Sequence, residues 1–344
     1  GLVSWVLVYI FHEELMRLFG ADDETMPYVL DYAMWLIYFF PTFMSSTFLG
    51  AFLRNDGVPD LAMKAVMAGG LLNIFGDWFF CFPMDMGMEG AAIATVSGSV
   101  LQTLIMCTHF LSPRCGLRLV RPHDLMKAFS RILKLGFGAG VLDLGTVALA
   151  IIINNQIIRY GNVNALAVYG VVGTVGQLCQ AVYKGVGQAL QPLASSNYGA
   201  GRPERIESAY GMAVRTTMII SVIMMLLGEL FPIQITKLFI AATPEVLREA
   251  PMIYRIYFTA FLFMGMNVLS TYFLQSVMRD RLSMIIAMLR SIVLSGALLL
   301  ILPVFFGLSG VFAAIPAAEL LVMLLALIYN KMALRDVFRS RKAA

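Results

Sequence analysis

Long apolar runs separated by short polar segments are the main feature of this sequence. Nine of these runs have about the length, roughly 20 residues, that an α-helix needs to cross the hydrocarbon core of a bilayer. They lie at residues 32–53, 65–84, 90–112, 135–158, 160–183, 216–231, 256–278, 282–302 and 308–329. Residues 2–11 have the character of the last turns of another membrane helix. The pattern predicts an all-α polytopic membrane protein.

The composition supports this prediction and excludes several classes of protein. Of the 344 residues, 59% are hydrophobic and 13% are charged, whereas about 25% of the residues of a soluble domain are charged. The net charge of +4 is spread between the apolar runs, so we expect no nucleic-acid partner. The four cysteines show no CxxC spacing and the three histidines are widely separated. We therefore expect no metal site, no cofactor and no enzymatic activity.

Basic residues in the loops predict how the chain is oriented. Six lysines and arginines lie between residues 114 and 134, and five more lie in the tail from Lys331 onward. Loops rich in lysine and arginine stay in the cytoplasm. We expect a cell-membrane protein whose central linker (112–127) and tail (333–344) are cytoplasmic.

The sequence also carries an internal repeat. A gapless shift of 220 residues superimposes Pro83 on Pro303, Gly87 on Gly307 and Gly90 on Gly310. This predicts a first bundle at 1–111 and a second at 128–332. The first part of the second bundle, two full spans and part of a third, has no counterpart before Gly1, so we expect the first bundle to be incomplete at its N-terminus. Restored, each bundle has six spans, which makes them parallel repeats, an architecture of alternating-access transporters.

Acidic residues inside the spans are candidate functional groups, because a central Asp costs about 3 kcal/mol on insertion. Asn73 and Asp77 stand at i and i+4 on one helix face, where a carboxylate and an amide oxygen can hold a proton or a hard cation. The shift of 220 places Val293 and Ala297 at these positions in the second copy. This asymmetry favours a functional role for Asp77 over a packing role.

Further polar residues in the second bundle are candidates for substrate binding or coupling. Asp143 follows a glycine-rich stretch and is either a functional acid or one member of a structural pair. Lys184 is either its partner in that pair or, the favoured interpretation, a residue that extends its ammonium group to the cytoplasmic interface. Gln177 and Gln180, at i and i+3, can reach a cavity or join neighbouring helices. Other charged residues in the spans, among them Arg290 and Glu319, are interpreted as interface residues or interhelical pairs.

Four segments resemble the multidrug and toxic compound extrusion (MATE) transporters of the flippase-like superfamily. They are LRNDGVP at 53–59, Asn73-x3-Asp77 followed by GMEGAAIAT at 87–95, GVGQALQP at 185–192, and NYGAG at 197–201. The resemblance implies twelve spans, a cation site of Asn73, Asp77 and Thr95, and a bacterial origin. Some members carry an acid where this chain has Thr146.

The function expected from the residues and the resemblance is secondary antiport. A monomer would export organic cations or amphipathic drugs in exchange for H⁺ or Na⁺, with no cofactor. The 23 methionines and 40 aromatic residues suit a broad cavity. Two alternatives stay open: a flippase of lipid-linked saccharides from the same superfamily, and a transport-inactive truncated membrane protein.

Overall fold

The computed structural model describes residues 2–18, 23, 26–113, 115–117 and 124–343; within these ranges, the side chains of 2, 3, 18, 125, 127, 128, 131–144 and 340–343 lie outside the described part. Every regular element within these ranges is helical, which confirms the predicted all-α fold. Contacts divide the chain into two units, Gly1–Arg121 (unit 1) and Pro122–Ala344 (unit 2). Part of the predicted linker at 112–127 lies outside the described residues.

The described part of unit 1 contains six α-helices and a 3₁₀ turn. They are α1 (Leu2–Ile10), α2 (His12–Leu18), α3 (Met26–Tyr38), α4 (Phe40–Asn55), α5 (Pro59–Cys81), α6 (Gly87–Cys107) and the turn Thr108–Leu111. The first predicted span, 32–53, is not one straight helix, because α3 and α4 meet at an angle of 53°. The break lies at Phe39, just before Pro41, which has no N–H to continue the helical hydrogen bonds.

Helices α5 and α6 approach closely because glycines face each other. A Cβ atom on Gly69 would lie 2.6 Å from the carbonyl oxygen of Gly98, and one on Gly98 would lie 2.6 Å from that of Gly69. Two turns further along α5, Gly76 packs on Ala94, which lies one turn before Gly98 on α6. Small residues of this kind let membrane helices pack backbone against backbone.

The described part of unit 2 contains seven α-helices and a π-helical turn. They are α7 (Leu125–Tyr160), α8 (Val163–Gly199), α9 (Pro203–Leu230), α10 (Pro232–Phe239), α11 (Pro244–Ser276), α12 (Asp280–Met288), the π turn Leu289–Val293 and α13 (Leu294–Ala343). Helix α11 is central, since it packs against α8, α9 and α13. Its aromatic residues Tyr254, Phe258 and Phe261 are fully buried.

Most of these helices differ from the predicted spans, and α7, α9 and α11 begin 10 to 13 residues earlier than predicted. Helix α8 continues well past residue 183, through Pro192 to Gly199. Helix α13 contains a sharp change of direction at Gly307, which has a φ of 57°. Gly87, 220 residues earlier, has a φ of 54° at the start of α6. Only glycine adopts this left-handed region readily.

Five described helices are long and apolar enough to cross a membrane, or six if the bent pair of α3 and α4 counts as one span. This number is smaller than the nine spans predicted from the sequence, for three reasons. Asn73, Asp77 and Lys64 lower the mean hydropathy of α5, and α7 is only partly described. The stretch Asp280–Arg339 is counted as one span, although it contains two predicted spans that the change of direction at Gly307 separates.

Candidate cation site and ligand cavity

The structure brings together the three residues of the predicted cation site in unit 1. Asn73 Nδ2 on α5 donates to Asp77 Oδ2 at 3.3 Å and to Thr95 Oγ1 on α6 at 3.4 Å. The Thr95 hydroxyl itself donates to the carbonyl of Ala91 at 2.9 Å. Asn73 thus links Asp77, one helical turn further along α5, to Thr95 on the neighbouring helix.

The close approach of α5 and α6 positions this site. Gly98 lies against Asn73, because a Cβ on Gly98 would be 3.1 Å from the Cβ of Asn73. The contact between Gly76 and Ala94 flanks the site at its other end. A larger residue at either glycine would push Thr95 away from Asn73.

The site is half-buried and its hydrogen bonds are long. Asn73, Asp77 and Thr95 are each partly accessible. Among the described residues, no hydrogen bond reaches Asp77 Oδ1. A carboxylate, an amide and a hydroxyl supply oxygen ligands for a hard cation, and the carboxylate alone can accept a proton. The arrangement can therefore exchange one cation for another without breaking strong protein contacts.

A cavity of about 680 Å³ lies within unit 2. Its apolar wall includes Tyr169, Tyr257, Tyr272, Met264 and Met284. Pockets that hold small organic ligands have volumes of about 300 to 1,000 Å³. The size and the lining suit a small aromatic molecule.

The candidates predicted in the second bundle lie at this cavity wherever they are described. Thr146, Gln177, Gln180 and Lys184 all line it. The side chain of Asp143 lies outside the described residues. Gln177 and Gln180 face the cavity from one side of α8, as their i, i+3 spacing predicts.

A charged cluster on the same cavity wall was not selected as a site from the sequence. Arg290 Nε donates to Glu319 Oε1 at 2.6 Å, and Asn267 Nδ2 on α11 donates to Glu319 Oε2 at 2.7 Å. The interpretation of Arg290 and Glu319 as an interhelical pair is confirmed. Their place in the cavity could not be read from periodicity, because it depends on how α11, α13 and the π turn pack.

A second cluster in unit 1 ties two loops together. His109 Nε2 donates to Asp56 Oδ2 at 2.7 Å, the Gly116 N–H donates to the same oxygen at 2.9 Å, and Cys115 lies beside both side chains. These hydrogen bonds, with that of His109 the stronger influence, lower the pKa of Asp56. Spacing along the chain placed the histidines too far apart for a metal site, yet these three side chains are of types that bind Zn²⁺.

Comparison with known proteins identifies the family of the chain. The MatE family model matches residues 1–79 and 144–301. The multidrug export protein MepA of Staphylococcus aureus is 25% identical over 335 residues, which cover 95% of this chain and 72% of the relative. MepA of Staphylococcus saprophyticus is 25% identical over 336 residues, with 95% and 73% covered.

Solved structures show the same fold. An outward-facing multidrug resistance MATE family transporter of the MOP superfamily aligns with a TM-score of 0.89 at 20% identity, over 98% of this chain and 76% of the other. A MATE structure in the straight conformation gives the same four values. The family model covers more than half of the chain. The chain therefore belongs to the MatE family of MATE transporters, multi-pass membrane proteins that transport and are not enzymes.

Proposed function

We propose that the protein exports organic cations or amphipathic drugs in exchange for H⁺ or Na⁺ by alternating access. The observation that carries the proposal is the cluster of Asn73, Asp77 and Thr95 on two closely packed helices. An acid in a membrane helix is costly and is a functional candidate. Occupation of this site by the coupling ion would bias the equilibrium between the two access states.

The proposed substrate class follows from the unit 2 cavity and from the relatives. Aromatic faces attract organic cations, and methionine adapts to different shapes. Tyr169, Tyr257 and Met264 supply such a surface, while Gln177 and Gln180 can donate or accept hydrogen bonds. MepA, a multidrug export protein by name, supports the same class.

Asp77→Asn tests the coupling role. The amide retains the size of the carboxylate but cannot exchange a proton or hold Na⁺ as strongly. We expect the variant to accumulate, fold and bind ethidium normally, yet to lose efflux driven by an imposed pH or Na⁺ gradient in proteoliposomes. Asp60→Asn, in the first turn of the same helix, is the matched control and should transport normally. Full gradient-driven efflux by Asp77→Asn would refute the assignment.

We also propose that the linker and the tail are cytoplasmic, and that the transporter works as a monomer in the bacterial cell membrane. Two exposed alanines of unit 2 test the orientation after the native cysteines are removed. Ala241→Cys, between α10 and α11, should react with a membrane-impermeant maleimide in intact cells, whereas Ala200→Cys, between α8 and α9, should not. The reverse labelling pattern would overturn the orientation.

A further inference from the structure

Arg290 and Glu319 form a buried ion pair in the wall of the unit 2 cavity. The side chain of Glu319 is 4% exposed and that of Arg290 is 18% exposed. Both carboxylate oxygens of Glu319 are bonded, one to Arg290 and the other to Asn267, and the Asn267 amide also donates to the Glu319 carbonyl at 2.8 Å. Each carboxylate oxygen is therefore engaged and the side chain is nearly inaccessible, so Glu319 has little capacity to bind a ligand.

The guanidinium of Arg290 is in the opposite situation. It uses only its Nε–H for Glu319, and no described residue accepts a hydrogen bond from either Nη atom. Arginine has five N–H donors in a planar fork, and two of them side by side match the two oxygens of a carboxylate. Arg290 lines the cavity, so the donors that no described residue accepts from lie at the wall of a space that can hold a ligand.

The backbone around Arg290 is also unusual. Leu289–Val293 is a π-helical turn, and the Ser295 hydroxyl donates to the Arg290 carbonyl at 2.5 Å. Single π turns inside α-helices are frequent at functional sites. The turn and the Glu319 carboxylate together hold the guanidinium in one position.

A purely structural role does not account for this pair. The shift of 220 places Gly70 and Ser99 at the positions of Arg290 and Glu319, and the corresponding helices of unit 1 pack without charges there. A buried ion pair is also weak evidence of stability, since its desolvation cost offsets much of the attraction. A charged pair that packing does not require suggests a ligand.

We propose that Arg290 binds the carboxylate group of a ligand in the unit 2 cavity, with Glu319 and Asn267 as positioning residues. The proposal rests on the proposed function, in that the cavity must admit a transported molecule. Lys184 lines the same cavity and forms no ion pair with a described residue, so it adds a second positive charge. Because Glu319 neutralises Arg290, Lys184 can offset the charge of the incoming carboxylate.

The remaining lining residues indicate what accompanies the carboxylate. Asp280 is the other acidic residue among the described lining residues, and Tyr169, Tyr257 and Tyr272 present aromatic faces. Both features attract a cationic ring system. The ligand class is therefore an aromatic zwitterion, a cationic ring system that carries a carboxylate.

A pair of dyes tests the carboxylate directly: a rhodamine with a free carboxylate and its methyl ester, which has the same cationic ring system. Binding to the purified protein is followed by fluorescence polarisation. We expect the wild type to bind the acid about tenfold more tightly than the ester, the effect of a charge-assisted hydrogen bond. In Arg290→Gln/Glu319→Gln, which leaves no buried charge unpaired, the acid should bind as weakly as the ester.

Two further variants separate charge from geometry. Arg290→Lys keeps the positive charge but loses the planar fork, and we expect it to lose most of the preference for the acid. Arg215→Lys changes an exposed arginine of α9 outside the cavity and should keep the full preference. Ester binding should be unchanged in all variants.

Three results would overturn the proposal: equal affinity of the wild type for acid and ester, a preserved preference in the double variant, or no binding of either dye. Efflux of the ester distinguishes a failure of the carboxylate site from a failure of the proposed function. If the ester is exported in an Asp77-dependent way while the acid preference is absent, only the carboxylate site is wrong. If no dye is exported, the proposed function is wrong regardless of the binding data.

Discussion

The helix pair α5–α6 of unit 1 and the matching stretch of unit 2 hold their polar groups differently. In unit 1 the hydrogen bonds of Asn73 are 3.3 and 3.4 Å long, and no described residue bonds to the second oxygen of Asp77. In unit 2 the bonds to Glu319 are 2.6 and 2.7 Å long, and both carboxylate oxygens are used. A loosely held carboxylate suits the exchange of ions, whereas a tightly held one suits the orientation of a neighbouring arginine.

The difference arises from side chains about one helical turn apart. In unit 1 the polar groups are at Asn73, Asp77 and Thr95, where the shift of 220 places Val293, Ala297 and Ile315. In unit 2 the charges are at Arg290 and Glu319, where the shift places Gly70 and Ser99. The two copies of the repeated helix pair therefore carry different kinds of site.

Glu319→Ala should have the largest effect on stability. It leaves the Arg290 guanidinium buried without its partner, which costs about 3 kcal/mol or more. Asp77→Ala removes only long hydrogen bonds in a half-buried site and should cost far less. The two losses of stability are measured by heating the purified variants and monitoring their unfolding by size-exclusion chromatography. Equal losses would contradict the contrast between a tight and a loose carboxylate.

Gly69→Ala should have the next largest effect. Its Cβ would lie 2.6 Å from the Gly98 carbonyl oxygen, a backbone atom, so α5 and α6 must separate, at a cost of about 2 kcal/mol. Gly70→Ala is the matched control, since nothing lies within 4 Å of its Cβ. The same unfolding measurement applies, and a Gly69→Ala variant as stable as Gly70→Ala would show that the glycine contact is not tight.

Gly87→Ala and Gly307→Ala should have smaller effects, and equal ones. Both glycines have a left-handed φ and open space around the Cβ position. The cost is then conformational alone, about 1 kcal/mol each. Gly296→Ala, within a regular helix, is the control. A large difference between the two variants would show that the turns are not equivalent.

Ala297→Asp should have no restoring effect on transport. Introduced into Asp77→Asn, it puts a carboxylate at the matching position of unit 2, but Val293 and Ile315 supply no oxygen there. Gradient-driven ethidium efflux in proteoliposomes should remain absent. Recovery of efflux would mean that a carboxylate in either unit is sufficient.

The sequence predicts features that are local to one helix. The apolar runs locate the membrane helices, and the i, i+4 spacing places Asn73 and Asp77 on one face. Thr95 is added only by the family resemblance, because no periodicity links α5 to α6. The predicted span is shorter than helix α8, because the run of apolar residues ends at the membrane surface while the helical hydrogen bonds continue to Gly199.

Features that depend on packing between distant segments were missed. Glu319 meets Asn267, 52 residues earlier, and His109 meets Asp56, 53 residues earlier. No spacing rule connects such residues. The bend between α3 and α4 was missed although Pro41 marks it, because hydropathy alone carries no information about direction.

The backbone contact between Gly69 and Gly98 also limits how unit 1 can move. Where the backbones of Gly69 and Gly98 touch, no side chain lies between the two helices to absorb sliding or rotation. We therefore expect helices α5 and α6 to move together as one rigid pair. The distance between Asn73 and Thr95 is then kept when the pair moves, and the coupling that we propose for Asp77 would act by tilting the two helices together against their neighbours.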